Sequence, residues 1–378
     1  MYIWYMKYIF ILITLALAII PSVSQAQDDD GIPQGVWRAE VVHVSEERQV
    51  FVPGTSTETT IQTLQVKILE GEREGQLVVM ENDFIMMQQG QKFFMNYLIA
   101  PDGTELYSVR DLDRRVPLAM LAGLFIVVVL LFGKGQGLRS LVSLAGSFLV
   151  ILYVLLPLLL KGFNPVLVSV VIGALILFVA IFFTHGFSMR SGIAFSGTVL
   201  SIGLTGILAT VAIDMLSLSG FFSDETVYLN FSTNGLLDFK GLLLGGMIIG
   251  VLGVLDDIAI TQVAVVAELK QAIPSIAKRE LYTKALRVGR EHVSALVNTI
   301  VLAYAGVSLP LLLWFAGSET SFSMIINNEI FATEIARTIV GSIGLILTVP
   351  ITTILAAWFA DKIGVISEGS HTHAHTHH

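Results

Sequence analysis

The sequence predicts a polytopic α-helical membrane protein with a small N-terminal β domain. Hydrophobic residues make up 54% of the 378-residue chain and charged residues only 14%. The mean hydropathy is +0.76, which sets the chain apart from ordinary soluble domains. Several apolar runs reach the roughly 20 residues that a bilayer crossing needs. Before them, residues 27–115 are polar and rich in strand formers.

Residues 1–26 read as a signal peptide. Lys7 precedes the apolar run "YIFILITLALAII", and Pro21, Ser24 and Ala26 then supply a small-residue cleavage site. Cleavage is expected near Ala26; the rival reading is an uncleaved anchor helix.

Residues 27–115 are expected to form an extracytoplasmic β domain. "VWRAEVVHV", "IQTLQVKIL", "GQLVVME", "KFFMNYLIA" and "ELYSV" are short and partly alternating, and "PGTST", "EGEREG" and "PDGTE" punctuate them. Five strands suit a partly open barrel of the OB type, and a small sandwich stays open. This segment carries 16 Asp/Glu against 8 Lys/Arg. An acidic domain does not suit nucleic acid, so no nucleic-acid partner is expected.

Residues 116–365 form the transmembrane domain, with seven spans expected near 116–133, 141–160, 165–184, 192–214, 241–267, 293–316 and 336–360. With the β domain exported, the inner segments carry Lys134, Arg139, Arg190, Lys270, Lys278, Arg279, Lys284, Arg287, Arg290 and Lys362. The outer ones carry Lys161, Lys240 and Arg337. That bias obeys the positive-inside rule and places the C-terminus of a plasma membrane protein in the cytoplasm. The inner segment "ELKQAIPSIAKRELYTKALRVGREH" is amphipathic and is expected to lie along the cytoplasmic face.

Residues 366–378 are a His-rich tail. "HTHAHTHH" offers imidazoles for Ni²⁺, Zn²⁺ or Cu²⁺, but a disordered tail or an engineered remnant is the plainer reading. His43, His185 and His292 stand isolated in sequence. No metal site and no cofactor are expected. There are no cysteines, which excludes disulfides, thiolate metal sites and Cys nucleophiles. "GKGQG" lacks the longer phosphate-loop pattern and reads as a membrane-edge turn.

The chemistry-bearing stretch is "GVLGVLDDIAITQ" in span five. Asp256 and Asp257 are the only charges between Lys240 and Glu268. On a helix Gly246, Gly250, Gly253, Asp257 and Thr261 share one face, and small residues there allow another helix to pack closely. Asp256 is turned about 100° away. A charge at the bilayer centre costs roughly 2.5–3.5 kcal/mol on insertion scales, so acids there are functional candidates by default. They can bind and release protons or ligate a cation between them. The bland alternative is a protonated, hydrogen-bonded Asp, or a water-filled vestibule that solvates the pair. Asn298 and Thr299 in span six are candidate partners, and Pro310 invites a kink. Thr348, Thr352 and Thr353 of span seven are expected to bond mainly to their own helix backbone.

These residues carry a resemblance. "GVLGVLDDIAITQVAVVAEL", "ALRVGREHVSALVNTIVLAYAGVSLPLLL" and "NNEIFATEIARTIVGSIGLILTVPITTILAAW" resemble the YibE/F family of bacterial membrane proteins. That family is largely uncharacterised and is generally described as transporters or permeases. Residues 245–316 are also similar, more distantly, to the fourth and fifth membrane helices of RND exporters and SecDF. This second likeness implies that Asp256 and Asp257 carry protons. The chain departs from that pattern in having no lysine in the middle of a later span, no large periplasmic domains and only one half-length membrane unit. A two-half arrangement would then need a homodimer or a sister subunit.

The expected function is a proton- or cation-coupled transporter of an unknown small molecule, ion or peptide, with Asp256, Asp257, Thr261, Asn298 and Thr299 as coupling residues. The alternative is a membrane-anchored envelope binding or assembly module acting through the β domain. No enzyme is expected. An intramembrane aspartyl protease needs two acids opposed across helices, whereas Asp256 and Asp257 are sequence neighbours.

Overall fold

The computed structural model describes residues 34–51, 54, 58–100 and 102–364. The expected signal peptide and His-rich tail lie outside them. The chain divides into two compact units, Met1–Val128 and Val129–His378.

Five antiparallel strands form one sheet in the first unit: β1 (Gln34–Phe51), β2 (Glu58–Ile68), β3 (Leu77–Asn82), β4 (Lys92–Ile99) and β5 (Glu105–Leu112). Their order is β3-β2-β1-β4-β5. β1 is the long central strand. Its first residues pair with β4 and its remainder with β2. The register shifts between Val41 and His43 and between Val44 and Glu46; such bulges bend a strand and sharpen its twist. The result is a half-barrel whose edges, β3 and β5, are not hydrogen-bonded to each other.

Alternation places Leu64, Val66 and Ile68 of β2 inside with Ala39, Val41, Phe93 and Met95. A buried polar link interrupts this core. The Gln62 side chain accepts from the Met87 amide (2.7 Å) and from Asn82 Nδ2 (3.1 Å), which fastens the loop after β3. Trp37 stacks on Tyr97 at 4.2 Å, and Tyr107 lies beside Tyr97 at 5.5 Å. Gly71, at φ +101°, lies against the Trp37 indole, where a Cβ would collide. Asp113, almost fully buried, pairs with both Arg38 Nε and Arg115 Nε at 2.8 Å.

The helices are α1 (Arg115–Leu160), α2 (Pro165–His185), α3 (Met189–Met215), α4 (Asp224–Ser232), α5 (Phe239–Ala272), α6 (Lys278–Val307), α7 (Leu309–Ala316), α8 (Phe322–Asn327), α9 (Glu329–Trp358) and α10 (Ala360–Gly364). Five are long and apolar enough to cross a membrane, or six when α6 and α7 count as one bent span. The first two of the seven expected spans fall together in α1, which runs 46 residues. Its backbone breaks at Lys134 (φ 47°, ψ −130°). The break brings Gly137 against the Val129 carbonyl, 2.5 Å from where a Cβ would sit.

α3, α5 and α9 pack mutually, with α2 against α5 and α6 against α5 and α9. The packing surfaces are small. Gly197 of α3 faces Thr352 of α9, where a Cβ would lie 2.5 Å from the Thr352 hydroxyl. Gly344 of α9 lies still closer to the Thr205 hydroxyl, and Gly245 of α5 to that of Ser169 in α2. Backbones approach closely at such positions, which is how helices associate where lipid removes the hydrophobic drive. One end of the bundle is fastened by Glu329, whose carboxylate accepts from the Ser219 and Gly220 amides at 2.6 and 2.9 Å and from the Ser219 hydroxyl at 2.8 Å. The other end is tied by Lys270 to Asp361 at 3.1 Å.

The amphipathic segment and span six are one helix. α6 runs unbroken from Lys278, burying Leu281, Ala285, Gly289 and Ile300. The Gly-Arg-Glu stretch at 289–291 is helical, continuous with the residues on either side. Gly289 is needed for contact: a Cβ there would lie 2.5 Å from Val349 and 2.6 Å from the Gln262 amide. The kink expected at Pro310 is present. α6 and α7 meet at 64°, with Pro310 in the first turn of α7, where its missing N–H is harmless.

Candidate functional site

α5 is 34 residues long, so Asp256 and Asp257 lie within about 3 Å of its midpoint at 1.5 Å per residue. The two acids part as their 100° offset requires. Asp257 opens onto a cavity of about 500 Å³, together with Val254, Ile260 and Thr261 of α5. Asp256 is half-buried and lies outside that lining.

Three helices build the cavity. α5 contributes a face that repeats every three to four residues: Val254, Asp257 and Thr261. α6 contributes His292, Leu296, Thr299 and Ile300, the same periodicity on a helix running the other way. α2 contributes His185 at its last position. Asp257 interacts electrostatically with both His185 and His292. The cavity thus holds one carboxylate, two imidazoles and two hydroxyls in an otherwise apolar wall. Thr299 also donates to the Ala295 carbonyl at 3.1 Å, which fixes its rotamer and leaves its oxygen to accept.

The carboxylate and imidazoles do not form a metal centre. Among the described residues no group of three His, Cys, Asp or Glu could hold a metal ion. What the arrangement offers is a carboxylate, two imidazoles and two hydroxyls, groups able to accept and donate protons, around one cavity.

Three of the five expected coupling residues, Asp257, Thr261 and Thr299, therefore come together. Asn298 does not: it is exposed and off the lining, because its neighbour Thr299 takes the inward position. The expected packing glycines also differ. A Cβ at Gly246 or Gly253 would meet nothing within 4 Å, and one at Gly250 would meet only the Tyr304 hydroxyl, at 3.0 Å. The close approach on α5 is made one residue earlier, at Gly245.

Other residues were missed in the sequence. His185 and His292 stood isolated there. Reading α6 as one helix puts His292 seven residues before Thr299, on one face, and that signal was present. Gln262 was also missed; it is fully buried, and Thr353 donates to its Oε1 at 3.0 Å. Thr353 shares the bond with the Val349 carbonyl, and Thr348 bonds only its own backbone, to Gly344. Thr352 is fully buried and its hydroxyl has no hydrogen-bond partner among the described residues.

The family model for YibE/F-like protein matches residues 121–362, which take in all the helices that build the cavity. The chain belongs to the YibE/F-like family. No curated protein and no solved structure matches it. The match covers α2 to α9 and so supports the earlier resemblance over the whole candidate site of this YibE/F-like chain.

Proposed function

We propose that this YibE/F-like chain is a proton- or cation-coupled transporter in which Asp257 is the coupling group. The observation that carries the reading is the place of Asp257: mid-length on an apolar helix, facing a cavity it shares with His185, His292, Thr261 and Thr299. A carboxylate costs too much there to persist without a role or a partner. Proton exchange with imidazoles through water gives it one. The reading prefers protons to a chelated cation, since among the described residues no three His, Cys, Asp or Glu converge. The distant likeness of residues 245–316 to the RND/SecDF core points to the same acids.

The topology proposed with it has seven spans. A 46-residue helix would run about 69 Å, more than twice the roughly 30 Å hydrocarbon core, and the Lys134 break divides it into two crossing lengths. The β unit, an OB-type barrel left open between β3 and β5, is exported. The cavity then opens toward the cytoplasm, and the substrate stays open among small molecules, ions and peptides.

The test is proton flux in proteoliposomes. Asp257→Asn is expected to abolish flux while the protein stays monodisperse in detergent. Flux equal to wild type across pH would overturn the reading. A second reading, an envelope-binding module, rests on the Trp37–Tyr97–Tyr107 stack with the Arg73 guanidinium 5.4 Å above the Tyr97 ring. Activity of the β unit on an unrelated anchor would favour it.

A further inference from the structure

α5 carries no side chain at Gly253 or Gly250, one and two turns beyond Asp257 on the same face. At the end of that bare strip stands Tyr304 of α6, whose hydroxyl lies 3.0 Å from where a Gly250 Cβ would be. Tyr304 in turn is within electrostatic reach of Arg337 and Glu334 of α9. Those two form an ion pair at 2.7 Å and are each only about a fifth exposed (23% and 21%). The Arg337 Nε is buried with no hydrogen-bond partner among the described residues, and so is the hydroxyl of fully buried Thr333, one turn away on α9. Buried donors left in this state are costly, and water in a polar gap is what ordinarily satisfies them.

We propose that Tyr304, Glu334 and Arg337 form a second polar station, which continues the proton path from the Asp257 cavity toward the opposite face of the membrane. The inference rests on the transporter reading and deepens it. It assigns the glycines of α5 a new role: they keep the cleft between α5 and α6 open rather than bringing another helix close. Along this path come two imidazoles, a carboxylate, a phenol and an ion pair, with about 10 Å of helix between Asp257 and Gly250. The charged groups within electrostatic reach of Tyr304 are Glu334 and Arg337 of α9, and Asp257 lies two turns along α5 from Gly250. Such spacing suits protons passed through water, and it offers no coordination shell to a bare cation. The guanidinium of Arg337 adds a positive charge that disfavours cations other than protons at this station.

The chain has no cysteine, so single cysteines report cleanly. In proteoliposomes Tyr304→Cys is expected to react with a charged, membrane-impermeant maleimide. Leu302→Cys, on the same helix but 70% exposed on its outer side, is expected to react only with an apolar maleimide. Equal inertness of the two toward the charged reagent overturns the proposal. In parallel, Arg337→Gln and Tyr304→Phe are expected to lower proton flux tenfold or more, with Arg337→Lys retaining most of it. Wild-type flux in both Arg337→Gln and Tyr304→Phe overturns the proposal as well. The labelling needs no transport, so loss of the Asp257 reading alone, with Asp257→Asn fully active, would leave a labelled Tyr304→Cys and be recognised as such.

Discussion

Thr353 of α9 donates its hydroxyl to Gln262 of α5 across 3.0 Å, and both side chains are fully buried. Thr353→Val removes the donor and leaves a buried amide unmatched, at a cost of about 1–3 kcal/mol. Thr348→Val removes only a bond to its own backbone and is expected to cost less than about 1 kcal/mol. Melting in detergent should separate the two variants clearly; equal melting points would mean that the link contributes nothing.

Glycines on α3 and α9 are expected to be far less replaceable than those on the Asp257 face of α5. Gly344→Ala and Gly197→Ala push a methyl into the Thr205 and Thr352 hydroxyls, an overpacking worth about 1–3 kcal/mol. Gly253→Ala meets nothing within 4 Å and should leave the melting temperature nearly unchanged. Similar losses in all three variants would contradict the packing described.

Glu329 is expected to be a fastening residue. Its carboxylate satisfies two amides and a hydroxyl in the turn after α3, so Glu329→Ala orphans three donors. Hydrogen exchange at Ser219 and Gly220 should speed up at least tenfold, with stability falling by about 1–3 kcal/mol. Unchanged exchange would show that the turn holds without it.

The β unit should lose stability in acid. The Arg115 side chain, its backbone N–H and the Arg38 charge hold the Asp113 carboxyl well below its usual range against the opposing effect of burial. Arg73 and then Tyr107 lower Glu105 in the same sense. For a depressed carboxyl the stabilisation is complete above the unfolded value of about 4 and is lost as pH falls through the folded one. Exchange protection of the sheet amides should therefore decline below about pH 4, and Asp113→Asn should flatten that decline while lowering protection at neutral pH.

Much of this was legible in the sequence. Hydropathy marked the apolar segments, alternation marked the strands, and a lone acidic pair marked the middle of α5. Asp257, Thr261 and Thr299 follow from helical periodicity combined with the neighbourhood of consecutive spans. What was not legible depends on which helices touch. Gly245 and Gly246 are adjacent and alike in sequence, and only the position of Ser169 on α2 makes the first the contact and the second open. His185 is 72 residues from Asp257 in the chain, a separation that no local pattern bridges. Asn298 was a fair candidate by type, but a single-residue offset of 100° turned it away from the cavity.

α6 is held unevenly: Leu281, Ala285 and Gly289 are buried near its start, whereas of its last eight residues only Ile300 is buried and Leu302 and Val307 are 70% and 82% exposed. A rod gripped along one third of its length is a lever. Tyr304 sits about 22 Å beyond Gly289 at 1.5 Å per residue, so a swing of about 10° about that grip carries its hydroxyl roughly 4 Å. That stroke is longer than a hydrogen bond. The same tilt moves His292, three residues beyond Gly289, by less than about 1 Å, so the far end of the path can open or close while the end at His292 hardly changes.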